Sequence, residues 1–76
     1  MRAFNDIVIE HLKIPVESIR PELTPEDVPD WDSMNYLLFI AELEKEYDIS
    51  FTMDEVMGMR SLGDVMIALR TREVEI

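Results

Sequence analysis

The 76-residue chain has no cysteine, one histidine, two glycines and only seven basic residues, and each scarcity excludes something. Without cysteine there is no disulfide, no thiolate nucleophile and no cysteine-based zinc site, so an apolar core alone must hold the fold. Seven Lys and Arg against seventeen Asp and Glu leave a formal charge of −10, which repels nucleic acid and anionic membranes and favours basic protein surfaces as partners. No apolar run reaches the length of a membrane span, and Met1-Arg2-Ala3-Phe4-Asn5-Asp6 lacks the apolar stretch of a signal peptide, so a cytoplasmic protein without membrane insertion is expected. Two glycines and 47% hydrophobic residues suit a compact helical protein. A chain of this length is expected to form one small domain over 1–76, with little room for an enclosed active site.

What is present reads as helices. Phe4, Ile7, Val8 and Leu12 recur at helical spacing and predict a first helix over about 2–13, stopped before Pro15. From Ile14 to Asp32 the chain carries Pro15, Pro21, Pro25 and Pro29 among acids, a long loop that Val16, Ile19, Leu23 and Val28 are expected to pin to the core. A second helix is predicted from Ser33 to Tyr47, capped by Asp32 or Ser33. Thr52-Met53-Asp54-Glu55 has the form of a capping box opening a short third helix that Gly58 ends. Ser61 and Asp64 open a fourth, in which Leu62, Val65, Met66 and Leu69 keep helical spacing to about Arg70. The expected fold is all-α: three main helices, one short third helix, and a long loop between the first two.

The second helix has two apolar stripes where one suffices for a core. Tyr36, Phe39, Ile40, Leu43 and Tyr47 share a face that persists to the helix end and reads as the buried side. Met34, Leu37, Leu38 and Ala41 lie on the other side, where the stripe gives way to Glu42, Glu44, Lys45 and Asp48; a patch of this kind reads as a docking surface.

Several chemistries fail on the residues. A calcium loop starting at Asp30 would have Met34 as its third ligand, Asn35 in place of the turn glycine and Ala41 in place of the bidentate glutamate, so no dedicated metal site is expected. His11 falls beside Phe4, Ile7 and Val8 and reads as a structural histidine at the edge of the core. Met57 and Met59 either fill space around the third helix or touch a bound apolar group. Ser33 has no base in its neighbourhood and cannot act as a hydrolase nucleophile. As the start of a helix it is nonetheless well placed to bear a phosphate, which unpaired backbone N–H groups and the helix dipole favour.

Asp32-Ser33-Met34 resembles the modification-site tripeptide, Asp-Ser-Leu or Asp-Ser-Met, of the acyl carrier protein family. The resemblance extends to Phe4 through Ile19 as first helix and loop start, to the acidic helix end Glu42-Leu43-Glu44-Lys45-Glu46-Tyr47, and to Ser61-Leu62-Gly63-Asp64-Val65 as the opening of the last helix. It implies a four-helix acyl-carrier bundle whose Ser33 receives 4′-phosphopantetheine from coenzyme A, the arm then holding acyl groups as thioesters with no catalysis by the chain. A phosphopantetheinyl transferase is the implied first partner. An acyl-loading ligase or acyltransferase and pathway enzymes with basic docking surfaces would follow. Asp32, Met34, Leu37, Leu38, Ala41, Glu42 and Glu44 are the implied recognition residues, and a monomer is expected. Asn35 and Leu38 stand where fatty-acid carriers commonly have acids, which points away from the housekeeping carrier toward a lipid, polyketide or related dedicated pathway. An aminoacyl or peptidyl carrier of the same fold, and an unmodified acidic helical adaptor, remain as alternatives.

Overall fold

The computed structural model describes residues 3–76, in the order α1 (Phe4–Leu12), a single 3-10 turn (Val16–Ser18), α2 (Ser33–Tyr47), α3 (Met53–Gly58) and α4 (Leu62–Thr71). The described residues contain no strand, and no helix among them is long and apolar enough to cross a membrane.

In α1 the apolar stripe Phe4, Ile7, Val8 and Leu12 is buried as its spacing predicts. The helix starts two residues later than expected, because Ala3 is extended and serves as N-cap; Arg2 lies outside the described residues. Lys13 ends α1 in the left-handed conformation, and Asp48 ends α2 the same way. Each non-glycine residue held there costs about 1–2 kcal/mol. Backbone hydrogen bonds from Lys13 N–H to Ile9 O and from Asp48 N–H to Glu44 O offset part of that cost.

The long loop is built from successive turns. Thr24 donates both its N–H and its hydroxyl to Asp27 Oδ2, and Trp31 N–H bonds Val28 O at 3.1 Å. Leu23 and Val28 are buried as expected, and Ile19 packs against the core. Val16 does not pin the loop: it lies in the 3-10 turn, 59% exposed, and Ile14 and Trp31 are buried instead. The loop is also tied to α4 by its backbone, through Leu62 N–H to Leu23 O and Gly63 N–H to Pro21 O, both 2.9 Å. A Cβ on Gly63 would stand 3.0 Å from Pro21 O, tighter than an ordinary contact, so a side chain here would press on the loop.

The bounds of α2 are those expected, and its faces divide as the two stripes indicate. Phe39, Ile40 and Leu43 are buried, Tyr36 and Tyr47 are half-buried, and Met34, Leu37, Leu38 and Ala41 are exposed. The Phe4 and Phe39 rings meet edge to face, 6.1 Å apart, joining α1 to α2. The capping box of α3 is complete, with Glu55 N–H on Thr52 Oγ1 and Thr52 N–H on Glu55 Oε1. Gly58 is the last residue of α3 but has no positive φ, and Met59 closes the helix in extended conformation. Leu62, Val65 and Leu69 of α4 complete a core with Ile7, Val8, Leu12, Phe39 and Leu43, all fully buried.

Candidate functional site

The junction between the loop and α2 is shaped by a cap and a staple. Asp32 is the N-cap: its Oδ1 accepts Asn35 N–H at 2.8 Å and its backbone carbonyl accepts Tyr36 N–H. Asn35 in turn donates its side-chain N–H to Asp30 O at 2.8 Å, which folds the end of the loop onto the first turn of α2. On either side of the cap, Trp31 and Tyr36 stack with ring centroids 6.0 Å apart, a hydrophobic staple that sets the angle at which the chain joins the helix. Trp31 and Tyr36 stand five apart in sequence across an N-cap, and that spacing was the available signal for this contact.

Ser33 is therefore the first residue of α2, exposed, with the capping duty taken by its neighbour. Next to it opens a groove of about 420 Å³, lined by Ser33, Trp31, Tyr36, Val56, Met57 and Met59 among others. Tyr36 reaches across to α3, its hydroxyl donating to Val56 O at 2.7 Å. That carbonyl belongs to the last turn of a six-residue helix and has no intrahelical donor, so the tyrosine fills a vacancy that the short helix creates. Burial, with Asp64 nearby, pushes the Tyr36 phenol up to about 12, which keeps its proton in place as a donor.

From the far side α3 is held by Arg72, which follows the end of α4. Its guanidinium pairs with the Glu55 carboxylate, donates to Ser50 O and Ala68 O, and lies 4.5 Å over the Phe51 ring. The Arg72 hydrogen bonds, helped by Thr52 N–H, hold the Glu55 carboxyl down at about 2. The sequence places Arg72 near the negative end of α4, and it does bond the Ala68 carbonyl there; its hold on α3 has no local signal.

The remaining site candidates are distributed over two faces. Met34, Leu37, Leu38 and Ala41 form an exposed stripe running from Ser33 along α2. Glu42 is half-buried, and Glu44 turns one carboxylate oxygen inward to accept Phe51 N–H at 2.8 Å. His11 is half-buried on α1 with Nε2 3.4 Å from Glu10 Oε2, at the core edge as read from the sequence. Of the two methionines by α3, Met57 is 72% exposed and Met59 is half-buried, and both line the groove.

Residues 2–69 match the family described as phosphopantetheine attachment site. An acyl carrier protein of Streptococcus thermophilus (strain CNRZ 1066) is 31% identical over 61 residues, covering 80% of this chain and 78% of that protein. A solved structure from Mycobacterium tuberculosis, titled "a putative acyl carrier protein", superposes with a TM-score of 0.80 over 91% of this chain and 92% of its own; at 23% identity it bears on the fold. The chain belongs to the phosphopantetheine attachment site family, on an acyl carrier protein fold. It is a phosphopantetheine carrier of the acyl carrier type, and its prosthetic group is 4′-phosphopantetheine. Carrier proteins of this kind hold intermediates rather than catalyse, and they work with a phosphopantetheinyl transferase and pathway enzymes.

Proposed function

We propose that Ser33 bears the phosphopantetheine arm and that the chain presents thioester-bound acyl groups to the enzymes of a dedicated lipid, polyketide or related pathway. The observation that carries this reading is the division of labour at the start of α2. Asp32 spends its carboxylate on Asn35 N–H, which leaves Ser33 exposed and outside the cap. The N–H groups of Ser33 and Met34 open the helix with no intrahelical acceptor, so a phosphodiester on the Ser33 oxygen meets unpaired donors and the positive end of the dipole. When bound, the arm supplies the thiol that this cysteine-free chain lacks. Ser33 is then a substrate of the transferase, and the chain contributes position: a tether raises the effective concentration of the carried group at each partner.

In this reading Asp32, Met34, Leu37, Leu38 and Ala41, with Glu42 and Glu44 beyond them, form one continuous docking surface for the transferase, an acyl-loading ligase or acyltransferase, and later enzymes. Apolar contact at the stripe and acidic charge at its end match partners with basic rims. Asn35, engaged with Asp30 O, and the exposed Leu38 replace acids near the serine, which supports a dedicated rather than a housekeeping role. Residues 1–76 act as one monomeric unit with no catalysis of their own.

Intact mass spectrometry tests this directly. Coenzyme A, magnesium and a broad-specificity phosphopantetheinyl transferase should add one arm to the unmodified chain, and Ser33→Ala should abolish the gain. No gain with several transferases would sink the assignment and leave an acidic helical adaptor.

A further inference from the structure

Each of the three residues before Ser33 is tied to the first turn of α2, and two of the three ties end on Asn35. Trp31 lays its ring on Tyr36, Asp32 Oδ1 accepts Asn35 N–H at 2.8 Å, and Asp30 O accepts the Asn35 side-chain amide, also at 2.8 Å. We infer that Asn35 is a positioning residue for the arm transfer: it closes a clasp around the serine-bearing junction and so fixes where the Ser33 oxygen stands when the transferase meets it. The inference rests on Ser33 as the attachment residue and concerns how that residue is presented.

Ser33 is the residue at which the chain passes from loop to helix, so its place depends on both. Its N–H opens the helix with no intrahelical acceptor, and the first turn is where a helix frays. In the transfer the Ser33 oxygen bonds the phosphorus next to pantetheine, the phosphoanhydride bond of coenzyme A breaks, the nucleotide leaves, and the serine proton passes to a base of the transferase. Such a displacement needs the reacting atoms aligned and about 3–3.5 Å apart, and a junction that swings through several orientations meets that condition for only a fraction of the time.

Asn35 is the third residue of α2, the position from which a glutamate or glutamine commonly reaches back to the backbone N–H of the cap. Its side chain reaches further, past the cap to Asp30 O, and does so as a donor. A carboxylate at 35 has no proton to give and would set one negative oxygen against another. The asparagine that stands where fatty-acid carriers commonly have an acid thus gives up a surface charge for a hold on the loop. The bond lies at the surface and spans five residues, so its loss loosens the junction without opening the core. Trp31 stays buried, and the cap, made to a backbone N–H, survives a change of side chain at 35.

Arm transfer to the full chain by one phosphopantetheinyl transferase, with coenzyme A and magnesium, tests this on three variants. Asn35→Ala should lower kcat about three- to tenfold, the range of one neutral hydrogen bond, and leave KM for the chain within about twofold, because the exposed stripe proposed for docking is carried by α2 and not by the clasp. Asn35→Gln keeps a donor amide and should recover part of the rate. Asn35→Asp removes the donor but sets an acid in the first turn, which the helix dipole favours; it should melt no lower than the unaltered chain and still transfer slowly. A bond that served folding alone would let the rate follow the melting point. An Asn35→Ala chain with unaltered kcat would overturn the inference, as would a rise in KM with kcat unchanged, which makes Asn35 a docking contact, or an Asn35→Asp chain that transfers at the full rate. No transfer to the unaltered chain by several transferases would instead remove the attachment assignment, and the inference with it.

Discussion

The two segments that flank Ser33, the long loop on one side and α3 on the other, are held to the bundle by opposite means. The loop is held by burial: Ile14, Leu23, Val28 and Trp31 all enter the core, and its backbone accepts two hydrogen bonds from the start of α4. The short helix α3 buries only Val56 and exposes Met53 and Met57; its hold is polar, through Arg72 on Glu55 and Tyr36 on Val56 O. One wall of the groove thus rests on packing, which pH barely touches. The other rests on charge and hydrogen bonds, which can be released without disturbing the core.

The sharpest way to break this contrast is Trp31→Ala. It removes a buried ring from the loop side and ends the staple with Tyr36, and by analogy with large-to-small core substitutions it should cost about 3–5 kcal/mol. Urea unfolding followed by helical circular dichroism measures the loss. A cost like that of a surface substitution would show that the loop does not depend on burial.

Gly63→Ala should have a smaller effect of the same sign. A methyl group 3.0 Å from Pro21 O must push the loop away from α4, weakening the Gly63 N–H to Pro21 O bond. We expect a net loss of about 1–2 kcal/mol despite the better helix propensity of alanine. Unfolding midpoints together with faster exchange of the amides at positions 62 and 63 would register it; an unchanged midpoint would place the loop's hold in side chains alone.

On the α3 side the effect should be local and pH-dependent. The Glu55 carboxyl sits below its ordinary value of 4.5, at about 2, because Arg72 and then Thr52 N–H favour its charged form. A group lowered in this way stabilises the folded state above the ordinary value, and that contribution is lost as pH falls toward the folded one. The protection of the amides over 52–58, taken against their intrinsic exchange at each pH, should therefore fall between pH 4.5 and about 2, ahead of that in α1 and α2. Arg72→Gln should make the same amides fast at neutral pH and flatten that acid dependence. Equal acceleration in α1 and α2 would mean that α3 is not a separable element.

Legibility in the sequence followed the range of the interactions involved. The limits of α2, its buried and exposed stripes and the capping box at Thr52 rest on spacings of three or four residues, and each appears where the sequence places it. Val16 shows the limit of such reading, since an apolar residue in a loop carries no period to say whether it turns inward. The contacts that build the groove are of longer range. Tyr36 meets Val56 twenty positions away, and Arg72 meets Glu55 and Ser50 across seventeen and twenty-two. Nothing local distinguishes that arginine from Arg70, which lies exposed two residues earlier.

By itself the sequence determined that the chain is helical, where its helices lie, which side of α2 faces inward, and that a serine stands at the start of that helix. Caps and apolar periods are written in consecutive residues, so they act before the chain has folded. Only the tertiary structure decided that Trp31 turns into the core and that Tyr36 reaches the Val56 carbonyl at the end of α3. Those outcomes depend on which distant donor reaches an orphan carbonyl and which ring fills a gap between helices, and such pairings exist only once the loop has been closed and its entropy cost met.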